Sequence, residues 1–554
     1  MRYFNTAGPI RPKDHYCFNP LERINLEEIL SLIEQKKYFV LHAPRQTGKT
    51  SCLLALMEYL NNQTDFKCLY INVEAAQGAR EDVKRGVKAI LNELGSRSKF
   101  HLKDSYIDKI WSETLEKSGE DGALNALLSR WTEESQKPIV LFIDEIDSLI
   151  GDTLISVLRQ IRAGYDKRPE NFPQSIILCG VRDVRDYRIH SDRDKSIITG
   201  GSAFNIKAVS LRLGDFTEPE VYELLEEHTK ETGQPFDVKA KELIWNYTQG
   251  QPWLVNALAY QACFETKAKR DKILEKMPIT EEMIIDAKEA LILRRETHLD
   301  QLADKLREER VRKIIAPMIE GIFIENINPD DLQYVIDLGL VKKDHSEIKI
   351  SNPIYREVIP RELTTITQYN LGSAVQAAWY IAKDGSLDVV KLLQGFQEFF
   401  RENSEIWVER FDYKEAGPQL LMQAFLQRVI NSGGRIEREY GLGKGRTDLM
   451  VIWNYYISPT PSLLPKGEGK NEEITPKLTH QRVQKEIIEL KILHKSLEKT
   501  ISDGLEQTYK YMDRCGQSEG HLVIFDREKS KTWEEKIFCK TESYKGKAIT
   551  VWGM

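Results

Sequence analysis

Residues 38–60 read YFVLHAPRQTGKTSCLLALMEYL. The run Tyr38–His42 is apolar enough for a buried strand, the residues after it include turn formers, and from Ser51 onward helix formers dominate. A strand, a sharply turning loop and a helix in that order bring backbone N–H groups and a helix N-terminus onto one point, which suits a phosphate. Within Ala43-Pro44-Arg45-Gln46-Thr47-Gly48-Lys49-Thr50, Lys49 is expected to reach the β- and γ-phosphates of a nucleotide, and the Thr50 hydroxyl to ligate Mg²⁺. Pro44, Arg45, Gln46, Thr47, Gly48 and Ser51 complete the expected nucleotide-binding set. The usual first glycine of such a loop is Ala43 here, while Gly48 beside the phosphates is retained.

A second run, Ile139–Ile143, is continuously apolar and ends in Asp144-Glu145. Burial in a parallel sheet explains the run. It does not explain two carboxylates at the strand's C-terminal end, where open α/β sheets bind their ligands. Asp144 is expected to hold Mg²⁺ through water, and Glu145 to orient and deprotonate the attacking water. Asp147 is expected to cap the following helix. Cys68–Val73 and Ser175–Gly180 are further strand candidates. Residues 1 to about 210 therefore predict a parallel sheet covered by helices on both faces.

From about 211 to 365 the pattern is almost wholly helical, as in EPEVYELLEEHTKETG (218–233). The exception is LGLVKKDHSEIKISNPIY (338–355), two short strands directly after a helix that Asn328 caps and Pro329 starts. A helix followed by a small hairpin is the arrangement of a winged-helix module.

The Lys49-Thr50 and Asp144-Glu145 motifs resemble those of the AAA+ and STAND P-loop ATPases, over about 15–360. Gly250-Gln251-Pro252, inside TQGQPWLVNALA (248–259), is similar to the Gly-x-Pro motif of STAND-type ATPases and their archaeal relatives. The resemblance implies that Gly250 and Pro252 sit in a helical lid facing ATP, with a winged helix after it. It also implies that HYCFNPLER (15–23) packs near the adenine, with Arg23 just before the first helix. Arg159, Arg162, Arg182 and Arg185 are in places where such proteins keep an arginine that senses the γ-phosphate, in cis or from a neighbouring subunit. A solvated helix face accounts for each of them more simply.

The C-terminal region reads strand, strand, strand, helix, strand. Asp448 opens a β-like run, and in Lys485–Leu493 alternation sets Ile488, Leu490 and Ile492 on one face and Glu489 and Lys491 on the other. Asp448 and Glu489 on adjacent strands suit a shared divalent cation, with Lys491 positioning or activating water. Gly445-Arg446-Thr447-Asp448, then Glu489-Leu490-Lys491, then a helix bearing Gln507 and Tyr511 resembles the PD-(D/E)XK nuclease superfamily over about 410–540. The resemblance implies catalytic roles for Asp448, Glu489, Lys491 and Gln507, metal binding by Asp448 and Glu489, a helical acidic position at Glu415, and DNA as partner. Ser458–Lys477, rich in Pro, Gly and charge, reads as a flexible insertion that lengthens the spacing between the two carboxylates.

The 554 residues suggest, at roughly 150 per domain, three or four domains. The expected organisation is an ATPase core (1–210), a helical lid (211–300), a winged-helix-like module (301–365), a helical linker (366–409) and a nuclease-like α/β domain (410–554). Lys and Arg number 79 against 85 Asp and Glu, which excludes a broadly basic DNA coat but not a local groove. KAKRDK (267–272) and KLREERVRK (305–313) read as solvated helix faces. No run approaches the roughly 18 apolar residues a membrane span needs, and the first residues lack the apolar core of a secretory signal. The seven scattered cysteines contain no CxxC pair and read as reduced residues of a cytoplasmic protein. The expectation is an ATP- and Mg²⁺-dependent ATPase whose nucleotide state controls a DNA-cleaving or DNA-binding tail, with possible homo-oligomers or partner proteins. The alternative is a STAND-type signalling switch with a catalytically inactive tail.

Overall fold

The structure is a computed structural model. It describes residues 2–183, 188–191, 196–199, 204–265, 277–294, 297–319, 327–344, 347–359, 380–382, 384–410, 422, 425–426, 434–442, 445–457, 480–493, 496–526, 528 and 530–554. Two compact units are present: residues 1–304 with 325–355, and residues 305–324 with 356–554.

The first unit is built on strands β1 (Tyr38–His42), β2 (Lys67–Asn72), β3 (Ile139–Asp144) and β4 (Ser175–Gly180). A hairpin, β5 (Arg188–Ser191) and β6 (Ser196–Thr199), follows, and then β7 (Lys207–Arg212). The main sheet runs β2-β3-β4-β1-β7 with every pairing parallel. All five strands therefore end on one edge of the sheet, with β4 between β1 and β3. The four expected strands are present to within a residue at their ends. β7 is an addition: KAVSLR is only partly buried and lacks the continuous apolar run of its neighbours.

Helices cover both faces. α1 (Leu26–Glu34) and α2 (Lys49–Gln63) pack on Phe39, Leu41, Tyr70, Phe142 and Ile177. α3 (Val83–Arg97), α4 (Tyr106–Ser118), α5 (Ala123–Glu134) and α6 (Gly151–Ala163) cover Val40, Ile71, Leu141, Ile143 and Leu178. In α3 the buried Val83, Val87, Ile90, Leu91 and Leu94 recur at helical spacing, and the Asp82 carboxylate caps its first turn by accepting the Arg85 N–H. Each large side chain fully buried here, Phe142 for example, contributes about 1.5–3 kcal/mol.

Asp147 does not cap α6. Its Oδ1 accepts the Val181 N–H at 3.1 Å, and the Glu81 carboxylate takes the Asp152 N–H at 2.7 Å in its place. Asp147 sits inside the turn Ile146–Ser148, and the N-cap position of α6 falls three residues later, at Ile150.

Beyond β7 come α7 (Glu218–Thr232), α8 (Val238–Thr248), α9 (Pro252–Tyr260) and α10 (Glu281–Leu293), which share a core with Phe4 and Tyr16 of the N-terminal segment. α11 (Pro329–Asp337) follows, with Asn328 accepting the Asp330 N–H as expected, and then the hairpin β8 (Val341–Asp344) and β9 (Glu347–Ile350).

The second unit holds α12 (Val389–Arg410) and a mixed six-stranded sheet. Its strands are β10 (Gly434–Leu442), β11 (Gly445–Ile457), β12 (His480–Ile492), β13 (Glu519–Phe525), β14 (Phe538–Tyr544) and β15 (Lys547–Gly553), ordered β10-β11-β12-β13-β15-β14. α13 (Leu497–Cys515) packs on Met450, Ile487, Leu522 and Val551, while Phe396 and Phe400 of α12 lie against the opposite face with Val451, Ile488 and Val523. The expected strand–strand–strand–helix–strand order is present, and β14 and β15 extend it. β14 escapes a hydrophobic reading because it is a polar edge strand. Among the described residues no helix is long and apolar enough to cross a membrane.

Candidate functional site

The loop between β1 and α2 turns through two residues with positive φ, Gln46 (58°) and Gly48 (90°). Glycine takes such a conformation without steric cost. α2 begins at Lys49 with no side-chain cap, so its first N–H groups line the loop. Lys49 is almost fully buried, and its Nζ donates to the carbonyls of Ala43 (3.0 Å) and Pro44 (2.9 Å). The Thr47 hydroxyl also donates to the Pro44 carbonyl, at 2.8 Å. Arg45 is exposed, and Gln46 Oε1 is buried without a hydrogen-bond partner among the described residues. Ser51 Oγ accepts the Ile10 N–H at 3.0 Å, which ties the N-terminal segment to α2.

The second expected element stands opposite. Asp144 is fully buried at the end of β3, and its Oδ2 accepts from the hydroxyls of Thr50 (2.7 Å) and Tyr70 (3.0 Å). Its Oδ1 accepts the Glu145 N–H at 2.9 Å. The hydroxyl and the carboxylate are hard oxygen donors, which fit Mg²⁺, an ion that keeps several waters and takes few protein ligands. Glu145 has φ of 57°, a strained value for a side chain of its size. Burial raises its carboxyl pKa above the ordinary glutamate value, Asp147 adds to the rise, and Lys49 opposes it. That environment suits a general base.

Two neighbours carry no motif signal of their own. Tyr70 comes from the otherwise ordinary β2. His42, at the end of β1, has a pKa pushed down to about 4 by burial and then by Arg212, so it is neutral at pH 7.

Arg23, expected near the adenine, braces the loop. Its Nη1 donates to the Thr47 carbonyl (2.5 Å), its Nη2 donates to the Gly214 carbonyl (2.6 Å), and its guanidinium lies 4.7 Å from the Phe216 ring centre. A side chain at position 48 would place its Cβ 2.6 Å from Arg23 Nη1. A narrow, mostly apolar cleft beside it is lined by Ile10, Phe18, Pro20, Phe216, Leu224 and Asn256. The link to the helices beyond β7 runs through Phe216, whose N–H donates to the Gly250 carbonyl at 2.8 Å. Gly250 has φ of 80°, and a Cβ there would lie 1.9 Å from the Phe216 oxygen. Pro252 opens α9, and Gln251 caps it by accepting the Leu254 N–H at 2.6 Å.

The arginines fall in different places. Arg159 is exposed on α6 and lines an open cleft with Asp121, Asn125 and Ser156, and Arg162 lies on the same helix. Arg182 stands 3.9 Å from the Asp337 carboxylate and over the Tyr334 ring at 4.7 Å, both on α11. Just after α11, a Cβ at Gly339 would meet the Pro44 ring at 2.7 Å. Arg185 lies outside the described residues.

In the second unit, Glu489 is almost fully buried on β12, and Lys491 Nζ donates to its Oε1 at 2.8 Å. Both share the α13 face with Ile487, since the alternate residues Ile488 and Leu490 join the opposite core. The antiparallel register pairs Leu449, the residue after Asp448, with Ile488, the residue before Glu489. Gln507 is on α13, with Oε1 buried and without a hydrogen-bond partner among the described residues. Glu415 and the insertion 458–477 lie outside the described residues. Among the described residues no group of three or more His, Cys, Asp or Glu is arranged to hold a metal.

A family model for the AAA-like domain matches residues 19–360. No curated protein matches the chain. Among solved structures, the Walker-type ATPase PABY2304 of Pyrococcus abyssi is 15% identical, with 64% of this chain and 99% of that chain covered at a TM-score of 0.44. Cdc6p from Pyrobaculum aerophilum is 16% identical, with 66% and 96% covered at a TM-score of 0.33. The RuvB Holliday junction branch migration motor of Thermotoga maritima is 14% identical, with 61% and 96% covered at 0.31.

Proposed function

The chain belongs to the AAA-like domain family, and on that footing we propose that it binds ATP with Mg²⁺ at residues 44–51 and hydrolyses it. The 2.7 Å bond between Thr50 and Asp144 carries this reading, because it joins the phosphate loop to the acidic end of β3. Lys49 exchanges the Ala43 and Pro44 carbonyls for phosphate oxygens, which are stronger, charged acceptors. Mg²⁺, when bound, neutralises charge on the β- and γ-phosphates beside Thr50 and Asp144. Glu145 takes the proton of the attacking water. Arg23 and Phe216 carry the state of the loop to Gly250 and Pro252 in the lid.

In the same proposal α11 and its hairpin form a winged helix, and the second unit is a PD-(D/E)XK-like domain that acts on DNA. The Lys491–Glu489 contact and the pairing of Leu449 with Ile488, next to Asp448 and Glu489, support a Mg²⁺-dependent cleaving site there, to which Gln507 of α13 would contribute. A second reading, a STAND-type switch whose tail only binds, is favoured by the approach of Gly339 to Pro44 and of Arg182 to Asp337.

One experiment tests both parts. The purified chain is incubated with supercoiled plasmid and Mg²⁺, with and without ATP, beside Lys49→Ala and Asp448→Ala. Lys49→Ala loses ATP binding and Asp448→Ala loses cleavage. Undiminished ATP binding in Lys49→Ala removes the ATPase assignment, and cleavage that persists in Asp448→Ala leaves only the binding tail.

A further inference from the structure

The mixed sheet of the second unit ends on β14, and among the described residues no strand lies beyond it. Its sequence is Phe538-Cys539-Lys540-Thr541-Glu542-Ser543-Tyr544, and Cys539, Lys540, Thr541 and Ser543 are exposed. An edge of this kind offers a row of backbone donors and acceptors to any strand that can match it.

Which groups are on offer follows from the hairpin. β14 and β15 are joined by Lys545 and Gly546, with φ of 49° and 84°, the two-residue turn with both central residues at positive φ. In such a hairpin the closing pair, Tyr544 with Lys547, exchanges the ladder hydrogen bonds. Bonded and non-bonded pairs alternate along an antiparallel ladder. Glu542 and Lys540 therefore bond toward β15, and Cys539, Thr541 and Ser543 turn their N–H and C=O groups to the open side.

We propose that β14 is a self-pairing edge, through which two copies of this chain join antiparallel about a two-fold axis at Thr541. That register sets Thr541 opposite Thr541, Cys539 opposite Ser543 and Ser543 opposite Cys539, so every outward backbone group meets its complement. The intervening positions are the non-bonded pairs, where side chains come closest. There Lys540 faces Glu542 and Phe538 faces Tyr544, each twice by symmetry. Opposite charges and aromatic pairs are the cross-strand combinations that stabilise a sheet.

Other registers fail on the same strand. Centring on Lys540 or Glu542 sets like charges face to face at the axis, in a non-bonded pair where side chains come closest. Centring on Cys539 or Ser543 leaves Glu542 or Lys540 without its opposite charge. Within one copy Lys540 already lies 2.8 Å from Glu542, and both side chains are well exposed, so the pair is free to be shared across the axis. A lysine on an edge repels a strand that brings no carboxylate, which restricts this edge to its own kind. The occupant is thus a second copy of the chain, independent of the nuclease reading.

The test is sedimentation velocity of the full chain from low to high micromolar concentration, with K540E, E542K, the K540E/E542K double variant and T541P. All three positions are exposed or half-buried, and proline is tolerated on an edge strand, so circular dichroism should report an unchanged fold. The expected result is a concentration-dependent dimer in the wild type, weakened about tenfold by either single charge reversal and restored by the double reversal. T541P, which loses an outward N–H at the axis, is expected to remain monomeric. A wild type that stays monomeric throughout overturns the proposal. So does a dimer indifferent to both single reversals and to T541P, or one that the double reversal fails to restore.

Discussion

The hydroxyl of Thr50 donates to Oδ2 of Asp144 across 2.7 Å, although 94 positions separate the two residues in the chain. β4 lies between β3, which ends in Asp144, and β1, which leads through the loop to Thr50 at the start of α2, so the bond spans the C-terminal edge of the sheet. Tyr70 holds the same oxygen from β2, which fixes the carboxylate in a fully buried setting. Asp144→Asn keeps the shape and removes the anionic oxygen. ATP binding in the presence of a chelator should be unchanged, while Mg²⁺-dependent turnover falls about 10–100-fold. A Mg²⁺ requirement identical to that of the wild type would detach Asp144 from the metal.

Glu145 makes a prediction in both activity and stability. As the proposed base it must be ionised, and burial raises its pKa, so turnover should fall as pH drops through a value above that of an ordinary glutamate. Glu145→Gln should retain ATP and lose turnover by about 10²–10⁴-fold. The stability sign runs the other way. A carboxyl whose folded pKa is raised weakens the fold above its unfolded pKa, and the penalty vanishes below it. Glu145→Gln should therefore melt higher than the wild type at pH 7.5, with the difference closing toward pH 4. Equal melting curves at neutral pH would mean that the carboxyl is not penalised by its site.

Gly250, between α8 and α9, tolerates no side chain. Its φ is 80°, and a Cβ would sit 1.9 Å from the Phe216 carbonyl oxygen, which is backbone and has little room to move. Gly250→Ala should destabilise the protein by about 2–4 kcal/mol in chemical denaturation. The displacement should reach Phe216 and, through it, Arg23 and the phosphate loop, so ATP affinity should drop in the fraction that folds. A variant of wild-type stability would show that the φ of this turn is freely adjustable.

The sequence reveals the central strands because they are buried on both faces and read as unbroken apolar runs. β1, β3 and β4 are of this kind. It conceals β7 and β14, which lie at sheet edges and keep polar residues. The phosphate loop is legible because its chemistry is local: Gly48, Lys49 and Thr50 are adjacent. Tyr70 and Asp337 are not, since only packing brings a strand tyrosine to Asp144 and a helix carboxylate to Arg182. Asp147 shows the opposite failure. Position alone suggests a helix cap, but the chain inserts a turn and the carboxylate goes to Val181. In the second unit, parity along β12 already separates Glu489 and Lys491 from Ile488 and Leu490, and the cores on the two faces follow it.

Arg182 and Asp337 bear on the switch reading. The carboxylate is fully buried, Gln333 donates to its other oxygen at 2.9 Å, and the arginine also lies over Tyr334. A guanidinium directly after β4 is close to the edge where a γ-phosphate would stand, and a phosphate is a stronger partner than one carboxylate oxygen at 3.9 Å. Arg182→Ala and Asp337→Asn, combined in a double-mutant cycle in urea, should show a coupling of about 1–3 kcal/mol without nucleotide. With a non-hydrolysable ATP analogue the coupling should shrink, because the arginine changes partner, and the hairpin at 341–350 should become more sensitive to protease. With ADP it should not. A coupling that is the same in all three conditions would leave Arg182 as a static brace of α11 and count against a nucleotide-driven release of this segment.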